Sequence, residues 1–241
     1  MKIGIFSDIH SNLEGLTAVL EDMERLGVTH PICLGDVVGY NANPKECLSV
    51  VRELGCPIVM GNHDEMASMT GEAEHYNSMA GEGIQYSRDT LDDEEKTFLR
   101  ELPFKKRIHG FTIVHASLDD PENWNYICNS LEASSSFIYQ FTQVCFIGHT
   151  HVAQVYEKDQ EVREINHEHP VQLKKNARYL VNVGSVGQPR DHNWKSSYVI
   201  FDVHHNTIEH RRIPYDLDKT QKKILDVGLP KQIAERLKHA V

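Results

Sequence analysis

Short apolar runs that each end in a polar cluster recur along the chain. The runs are KIGIF, PICL, PIVM, FTIV, VCFI and RYLV, and they are followed by SDIHSN, GDVVGYN, GNHD, HAS, GHTH and NVGS. Runs this short and rich in Val and Ile are typical of buried strands rather than helices. The pattern therefore predicts six strands, each of which ends beside polar residues.

Helical patterns separate the first three runs. Asn12 is a candidate N-cap for LEGLTAVLEDMERLG, whose apolar residues recur on one face, and Gly27 is its stop signal. PKECLSVVRELG predicts a second helix, with Pro44 in its first turn and Gly55 at its end. This alternation predicts right-handed βαβ units and a parallel start to the sheet.

The rest of the chain changes from helical to strand patterns. Residues 65–103 have a polar, helical pattern, and SLEASSSFIYQF predicts another helix. From AQVYEKD onward strand patterns dominate, and their spacing suggests hairpins and a second, mixed sheet. The tail predicts two short helices at about 216–240, divided at Gly228–Pro230. The sequence contains no internal repeat and no linker-like segment, so we expect one domain over residues 1–241.

Composition excludes several classes of protein. Of 241 residues, 40% are hydrophobic and 25% are charged, and the formal net charge is −10. An acidic surface argues against nonspecific nucleic-acid or membrane binding, although bound cations allow an anionic substrate. We expect no signal peptide, and the sequence has no apolar run of about 20 residues. The five Cys form no CxxC, which favours reduced thiols in a cytoplasmic protein.

The candidate chemistry lies where the predicted strands end. The carboxyl ends of strands border the binding crevice of open α/β sheets, so His, Asp and Asn at these ends are expected to meet. Asp8 and His10 are two residues apart, as are His149 and His151, and in extended chain such pairs point to the same side. Each motif alone has an ordinary explanation, such as a satisfied core position for His115. Their combination at successive strand ends predicts a metal site.

The combination of D-x-H, G-D, G-N-H-D, H and G-H-x-H resembles the calcineurin-like metallophosphoesterase family. These motifs extend from Asp8 to His151, and the later stretches NVGSVGQPRD and GLPKQIAERL resemble a bacterial, phosphodiesterase-like branch of that family. The resemblance implies an α/β fold in which two mixed β-sheets pack face to face with helices on the outside. This arrangement is an α/β–β/α four-layer sandwich.

The resemblance also implies a dinuclear site with two divalent transition-metal ions. Two groups of residues would hold the ions, Asp8, His10, Asp36 and His151 in the first group and Asp36, Asn62, His115 and His149 in the second. Asp36 would bridge the two ions. Imidazole, carboxylate and amide donors without thiolate suit Mn, Fe, Zn, Ni or Co, so the residue types agree with this implication.

The reaction implied is hydrolysis of a phosphoester by attack of a metal-bridging hydroxide, with unligated His63 protonating the leaving alkoxide or stabilising its charge. The leading substrates are small phosphodiesters or nucleotide-derived phosphates. One alternative is a phosphomonoesterase, including a phosphoprotein phosphatase. Another is a non-catalytic binding or scaffold protein on the same fold. A scaffold has no need of His63 beside all seven ligands, which favours the enzyme.

One departure from the family pattern bears on the substrate. Protein phosphatases of the superfamily carry GDxVDRG, whereas GDVVGYN places Gly39 and Tyr40 where the Asp and Arg would stand. That Arg grips a phosphomonoester and that Asp orients the catalytic His, so their absence favours diesters. Asp64 is a candidate to orient His63 instead. Arg190 is a candidate to pair with the phosphate.

The remaining expectations concern the surroundings of the site. Asn62, His63 and Arg190 are the candidate substrate-binding residues. His75 and His192 are the further histidines expected near the site. Trp124 and Trp194 are expected to pack or to line the rim, and the charged residues of the tail helices are expected to face solvent.

Overall fold

The computed structural model describes residues 1–69, 78–108 and 110–241. The described strands are β1 (Lys2–Phe6), β2 (His30–Cys33), β3 (Lys105–Ile108), β4 (Phe111–Val114), β5 (Val144–Ile147), β6 (Gln154–Lys158), β7 (Val162–Ile165), β8 (Val171–Gln172), β9 (Arg178–Asn182), β10 (Ser196–Asp202) and β11 (Thr207–Ile213). The described helices are α1 (Leu13–Arg25), α2 (Pro44–Leu54), α3 (Asn62–Ser68), α4 (Ser78–Thr90), α5 (Asp93–Arg100), α6 (Ser130–Tyr139), α7 (Leu217–Asp226) and α8 (Lys231–His239), with a 3₁₀ turn at Pro121–Asn123.

The strands in the described ranges form two mixed sheets. The first has the order β2–β1–β10–β11–β8, and the second has the order β3–β4–β5–β9–β6–β7. β1 runs parallel to β2, and β5 runs parallel to both β4 and β9, whereas the other neighbours are antiparallel. The predicted fold class, α/β with two mixed sheets, is confirmed.

The two sheets share a buried layer of side chains. Ile5 of β1 and Val199 of β10 belong to one apolar cluster with Ile113 of β4 and Val181 of β9. Phe146 of β5 and Phe201 of β10 have ring centres 5.7 Å apart across this layer. Face-to-face packing therefore holds the carboxyl ends of β1, β2, β4 and β5 at neighbouring positions.

Helices cover the outer faces of both sheets. Leu16 of α1 and Leu48 of α2 pack with Phe6 on the first sheet, and Phe137 of α6 packs with Leu180 on the second. The Asn12 side chain accepts a hydrogen bond from the Gly15 amide at 2.9 Å, as expected of a helix N-cap. Gly55 ends α2 in the left-handed conformation.

The structure corrects three expectations about strands. PIVM (57–60) forms only an isolated bridge between Ile58 and Cys33, because Pro57 lacks an N–H and the chain soon enters α3. β10 and β11 join β1 in the first sheet, although the sequence suggested that the late strands form the second sheet. β3 was not predicted, since KKRI is a mostly exposed edge strand without an apolar face.

The described part of the predicted helical excursion comprises most of α3 together with α4 and α5. Residues 70–77, including His75, lie outside the described residues. The tail contains α7 and α8, and Ile233 and Leu237 of α8 pack with Tyr40 and Ala80 in a small apolar cluster. No helix within the described ranges has the length and apolar character needed to cross a membrane.

Candidate metal centre

The chain turns that follow four strands carry the candidate ligands. Asp8 and His10 follow β1, Asp36 follows β2, His115 follows β4, and His149 and His151 follow β5. Asn62 and His63 begin α3 instead of following a strand. All of these side chains are buried, with at most 5% of each residue exposed. The two sheets thus bring the predicted ligand residues to one edge of the fold.

The sequence predicted that the pairs Asp8/His10 and His149/His151 each point to one side because the chain there is extended. That prediction is wrong, because these residues are not extended. Asp8, His10, Asp36, His149 and His151 have φ values of 54°, 46°, 51°, 67° and 61°. The left-handed conformation costs about 1–2 kcal/mol for each residue with a side chain. Backbone hydrogen bonds hold it here, since the Asp8 amide donates to Gly35 O at 3.0 Å and the His10 amide donates to Asp36 O at 2.9 Å. Such concentrated strain is typical of functional sites.

Three histidine rings are oriented by main-chain oxygens. His10 Nδ1 lies 3.0 Å from Val38 O, His115 Nδ1 lies 2.8 Å from Leu34 O, and His151 Nδ1 lies 2.6 Å from Gln188 O. A carbonyl oxygen only accepts, so each Nδ1 carries a proton, and in the neutral form of each ring Nε2 presents a lone pair. This arrangement fixes the tautomer in the way that metal-binding histidines commonly require.

The Nε2 atoms of His10 and His151 face each other, and in the neutral rings neither carries a proton. His10 Nε2 and His151 Nε2 are 3.0 Å apart, and His151 Nε2 lies 3.3 Å from Asp8 Oδ1. Two lone pairs beside a carboxylate repel one another unless a cation lies among them. Asp8, His10, Asp36 and His151 offer ligand atoms within 4.8 Å of one another. These donors fit a divalent metal ion.

A second group of donors shares Asp36 with the first. Asp36, His115 and His149 also offer ligand atoms within 4.8 Å of one another, and His115 Nε2 lies 3.3 Å from Asp36 Oδ2. Among the described residues, buried His149 Nε2 has no hydrogen-bond partner, as expected of an atom that awaits a metal. Asn62 lines the same cavity. The Asp36 carboxylate is therefore common to both groups of potential metal-ligating residues.

Burial and charge set the protonation of the site. Burial lowers the pKa of His149 to about 3 and that of His63 to about 4, so both rings are neutral at pH 7. Burial also acts to lower the pKa of His115, but the Asp36 and Asp8 carboxylates outweigh it and raise the pKa to about 9. His115 is therefore protonated at pH 7 unless an ion binds it, and a divalent ion at its Nε2 would displace this proton, because a metal ligand must be a neutral imidazole.

Asp64 is fully buried and binds the backbone. Its carboxylate accepts hydrogen bonds from the amides of Val37 at 2.9 Å, Val38 at 3.3 Å and Gly61 at 3.2 Å. These bonds tie the loop after β2 to the start of α3. These three hydrogen bonds go to main-chain amides. An orienting role of Asp64 toward the His63 side chain stays a prediction.

The residue at position 39 has a steric role. Gly39 has φ +93°, and a Cβ on it would collide with His63 Nδ1. The absence of a side chain at position 39 therefore makes room for the His63 ring. That ring lies 4.6 Å from the ring centre of His10 and 4.7 Å from that of Tyr40.

An open cavity of about 120 Å³ lies above these residues. Its wall includes Asp36, Tyr40, Asn62, His63, Ala80, Tyr126, His149, His151, Arg190 and Arg236. Arg190, which the sequence proposed as a phosphate ligand, is thus in the wall with His63 and Asn62.

The sequence missed three residues of this wall. Tyr126 stacks on the His149 ring with centres 4.2 Å apart, and the Tyr40 ring contacts His10 and His63. Arg236 of α8 has its guanidinium carbon 5.8 Å from the Tyr40 ring centre. The expectation that all charged residues of the tail face solvent is therefore wrong for Arg236. In the sequence, Arg236 is one charged residue of an amphipathic helix, and this pattern does not reveal which residues from other parts of the chain lie beside it.

The other histidine and tryptophan expectations have mixed outcomes. His192 is absent from the cavity wall, and its amide donates to Ala240 O at 3.0 Å. Trp124 lies with its ring centre 5.8 Å from that of His115 and donates to Glu65 Oε2 at 3.0 Å. Trp194 packs edge-on against Tyr215. Both tryptophans therefore have packing contacts.

Comparisons with known proteins agree with this geometry. Residues 1–206 match the family model described as the calcineurin-like phosphoesterase superfamily domain. The uncharacterized protein MJ0912 of Methanocaldococcus jannaschii is 37% identical over 239 residues, which cover 98% of this chain and 96% of that protein.

Solved structures extend the comparison to the fold. A metallophosphoesterase from Sphaerobacter thermophilus is 34% identical with a TM-score of 0.89, and the match covers 100% of this chain and 99% of that one. The hypothetical protein PH1004 of Pyrococcus horikoshii has a TM-score of 0.82 at 17% identity, with coverage of 100% and 98%, and so shares the fold. The family match over residues 1–206, together with the relatives that are 37% and 34% identical, shows that the chain belongs to the calcineurin-like phosphoesterase superfamily.

Proposed function

We propose that the protein hydrolyses phosphoester bonds of small phosphorylated compounds with the aid of two divalent transition-metal ions. The observation that carries the proposal is the approach of His10 Nε2 to His151 Nε2 at 3.0 Å, with both Nδ1 atoms held by main-chain oxygens. The first ion would be held by Asp8, His10, Asp36 and His151, and the second by Asp36, Asn62, His115 and His149. When bound, such ions act as Lewis acids and supply a water nucleophile whose pKa is lowered toward roughly 7.

The chain's own residues would position the substrate around this centre. His63 is not needed as a ligand, and its ring faces the cavity beside His10. It is placed to donate its N–H in a hydrogen bond that stabilises the charge on the leaving oxygen, whereas protonation of that oxygen would require the imidazolium form of His63. Arg190 would bind phosphate oxygens of the substrate, since its guanidinium offers several donors in one plane.

The substrates proposed are small phosphodiesters or nucleotide-derived phosphates. The sequence favoured diesters because position 40 lacks an Arg, and this preference stays a prediction. Arg236 brings a second guanidinium to the same cavity wall as Arg190. A phosphomonoesterase therefore stays an alternative, because two guanidiniums suit the dianionic group of a monoester.

Several tertiary contacts support the proposal that residues 1–241 act as one domain. β10 pairs with β1, and α8 contributes Arg236 to a wall that also contains Asp36. Cytoplasmic location and the identity of the metals remain predictions.

The test is hydrolysis by protein reconstituted with Mn²⁺. We expect turnover of p-nitrophenyl phosphate or bis-p-nitrophenyl phosphate that chelator removes and added Mn²⁺ restores. His115→Asn should abolish this turnover, whereas His205→Asn should not, because His205 lies on the surface at β10's end. Metal binding without hydrolysis of either ester would instead support the non-catalytic scaffold.

A further inference from the structure

Two arginines gather around one tyrosine at the edge of the candidate metal centre. The guanidinium carbons of Arg190 and Arg236 lie 5.7 Å and 5.8 Å from the Tyr40 ring centre. Arg190 Nη2 donates to the Tyr40 hydroxyl at 3.2 Å and to Gln188 Oε1 at 2.9 Å. Tyr40 is itself buried against His10 and His63. The Tyr40 ring therefore lies between the two arginines and these histidines of the proposed reaction site.

These arginines have few partners that neutralise charge. Within the described ranges, neither guanidinium forms an ion pair with an Asp or Glu side chain. Arg236 Nε donates to the main-chain oxygen of Val241 at 2.8 Å, and buried Arg190 Nε has no partner among the described residues. Both guanidiniums lie beside the Tyr40 ring in one cavity wall, and burial together with the Arg190 charge lowers the pKa of Arg236.

An anion that lies between two such guanidiniums would offset their positive charges. Planar guanidiniums bind phosphate oxygens through paired N–H donors, and Arg is favoured over Lys where this geometry matters. Arg190 and Arg236 line the same cavity as His63 and Asn62. The anion must therefore reach the cavity together with the substrate or as part of it.

The charge of the site indicates more than one phosphate. The charge of two divalent ions would be balanced by the carboxylates of Asp8 and Asp36, the hydroxide nucleophile and a singly charged ester. Arg190 and Arg236 add two further positive charges at one wall of the cavity. Charge complementarity then calls for a substrate with additional negative charge on that side.

We propose that Arg190 and Arg236, held around Tyr40, form a second phosphate subsite, so that the substrate is a phosphoester with a further phosphate group adjacent to the scissile one. This inference rests on the proposed function and specifies its substrate class. The scissile group would lie at the metal centre and the neighbouring phosphate would lie between the guanidiniums. Arg190 and Arg236 are specificity residues in this arrangement.

The experiment compares two non-hydrolysable probes, methylenediphosphonate and methylphosphonate, by calorimetric titration of the Mn²⁺-loaded protein. Elemental analysis after each titration verifies that the protein has kept its metal. We expect the diphosphonate to bind more tightly, and Arg236→Gln to reduce the ratio of the two affinities about tenfold, as for the loss of one charge-assisted phosphate contact. Lys238→Gln removes a charge from the same helix at an exposed position and should leave the ratio unchanged.

A second variant guards against a change in folding. Arg236→Lys keeps the charge and most of the side-chain packing but loses the planar donor pair, so it should give an intermediate ratio. Equal loss of affinity for both probes would mean that Arg236 holds the single scissile phosphate. That result, or an unchanged ratio in Arg236→Gln, would overturn the second subsite. Both of these results would leave the proposed function intact. The proposed function would instead be contradicted if the Mn²⁺-loaded protein hydrolysed no phosphoester.

Discussion

The main-chain amide of His63 donates a hydrogen bond to Asp36 Oδ1 at 2.8 Å. The other oxygen of this carboxylate, Oδ2, lies 3.5 Å from His10 Nε2 and 3.3 Å from His115 Nε2. One oxygen is thus fixed to the start of α3, and the other lies between the two groups of ligand residues. The position of His63 and the proposed bridge between the metals are therefore set by one carboxylate.

The first prediction concerns metal content. Reconstituted protein should bind two divalent ions per chain, and Asp36→Asn should lose most of both, because Asp36 belongs to both ligand groups. Elemental analysis after gel filtration measures the content. Asp226→Asn is the matched control, since Asp226 is exposed at the end of α7 and pairs with Lys222. If Asp36→Asn keeps one ion at full occupancy, the carboxylate does not bridge.

The second prediction separates chemistry from metal binding at His63. His63→Ala should keep both ions and lower kcat by roughly 10²–10⁴-fold, the usual contribution of a proton-donating side chain. Steady-state rates and elemental analysis of the same preparation provide the measurement. His205→Ala, which removes an exposed histidine, should change neither quantity. Loss of an ion from His63→Ala would show that His63 is a ligand.

The third prediction concerns the close approach at Gly61. A Cβ at this position would collide with the Asp36 carboxylate, so Gly61→Ala should displace Asp36 and weaken metal binding. Gly55→Ala is the comparison, because its Cβ would meet open space and only the left-handed conformation at φ +56° is strained. That variant should lose about 1–2 kcal/mol of unfolding free energy and keep its metal. Full metal affinity in Gly61→Ala would contradict the tight packing around Asp36.

The fourth prediction concerns the pH dependence of stability at Glu157. This buried carboxylate accepts hydrogen bonds from Lys174 Nζ at 2.9 Å, Tyr179 OH at 2.8 Å and Arg163 Nε at 3.0 Å. Burial opposes ionisation, but these three donors prevail and lower the pKa of Glu157 from 4.5 to about 2. The group therefore stabilises the fold fully above pH 4.5, and this contribution is lost as the pH falls toward 2.

Glu157→Gln provides the measurement. At pH 7 it should lower the free energy of unfolding by about 1–3 kcal/mol, because the donors lose a charged acceptor. Urea unfolding at pH 7 and at pH 3 should show a smaller difference between wild type and variant at pH 3. Glu161→Gln, which alters an exposed acid in the turn between β6 and β7, should have little effect at either pH. A difference that grows at low pH would have the wrong sign and would exclude this account.

Some interactions could be predicted because they are local. An apolar run of four or five residues predicts a buried strand, and the polar residue that follows it must lie at the end of that strand. Asp8, Asp36, His115 and His149 were located in this way. PIVM failed as a strand because Pro57 interrupts the pairing, although the chain still delivers Asn62 to the site.

The sequence by itself determined the donor types, their order and their attachment to the ends of the strands, because these depend on residues close together in the chain. Only the tertiary structure decided that the backbone at Asp8 and His10 is left-handed, since the hydrogen bonds that hold it come from the loop after β2. It also decided that Arg236 joins Arg190 around Tyr40. The Arg190–Tyr40 contact alone spans 150 residues, and periodicity within a helix carries no information about a neighbour at that distance in the chain.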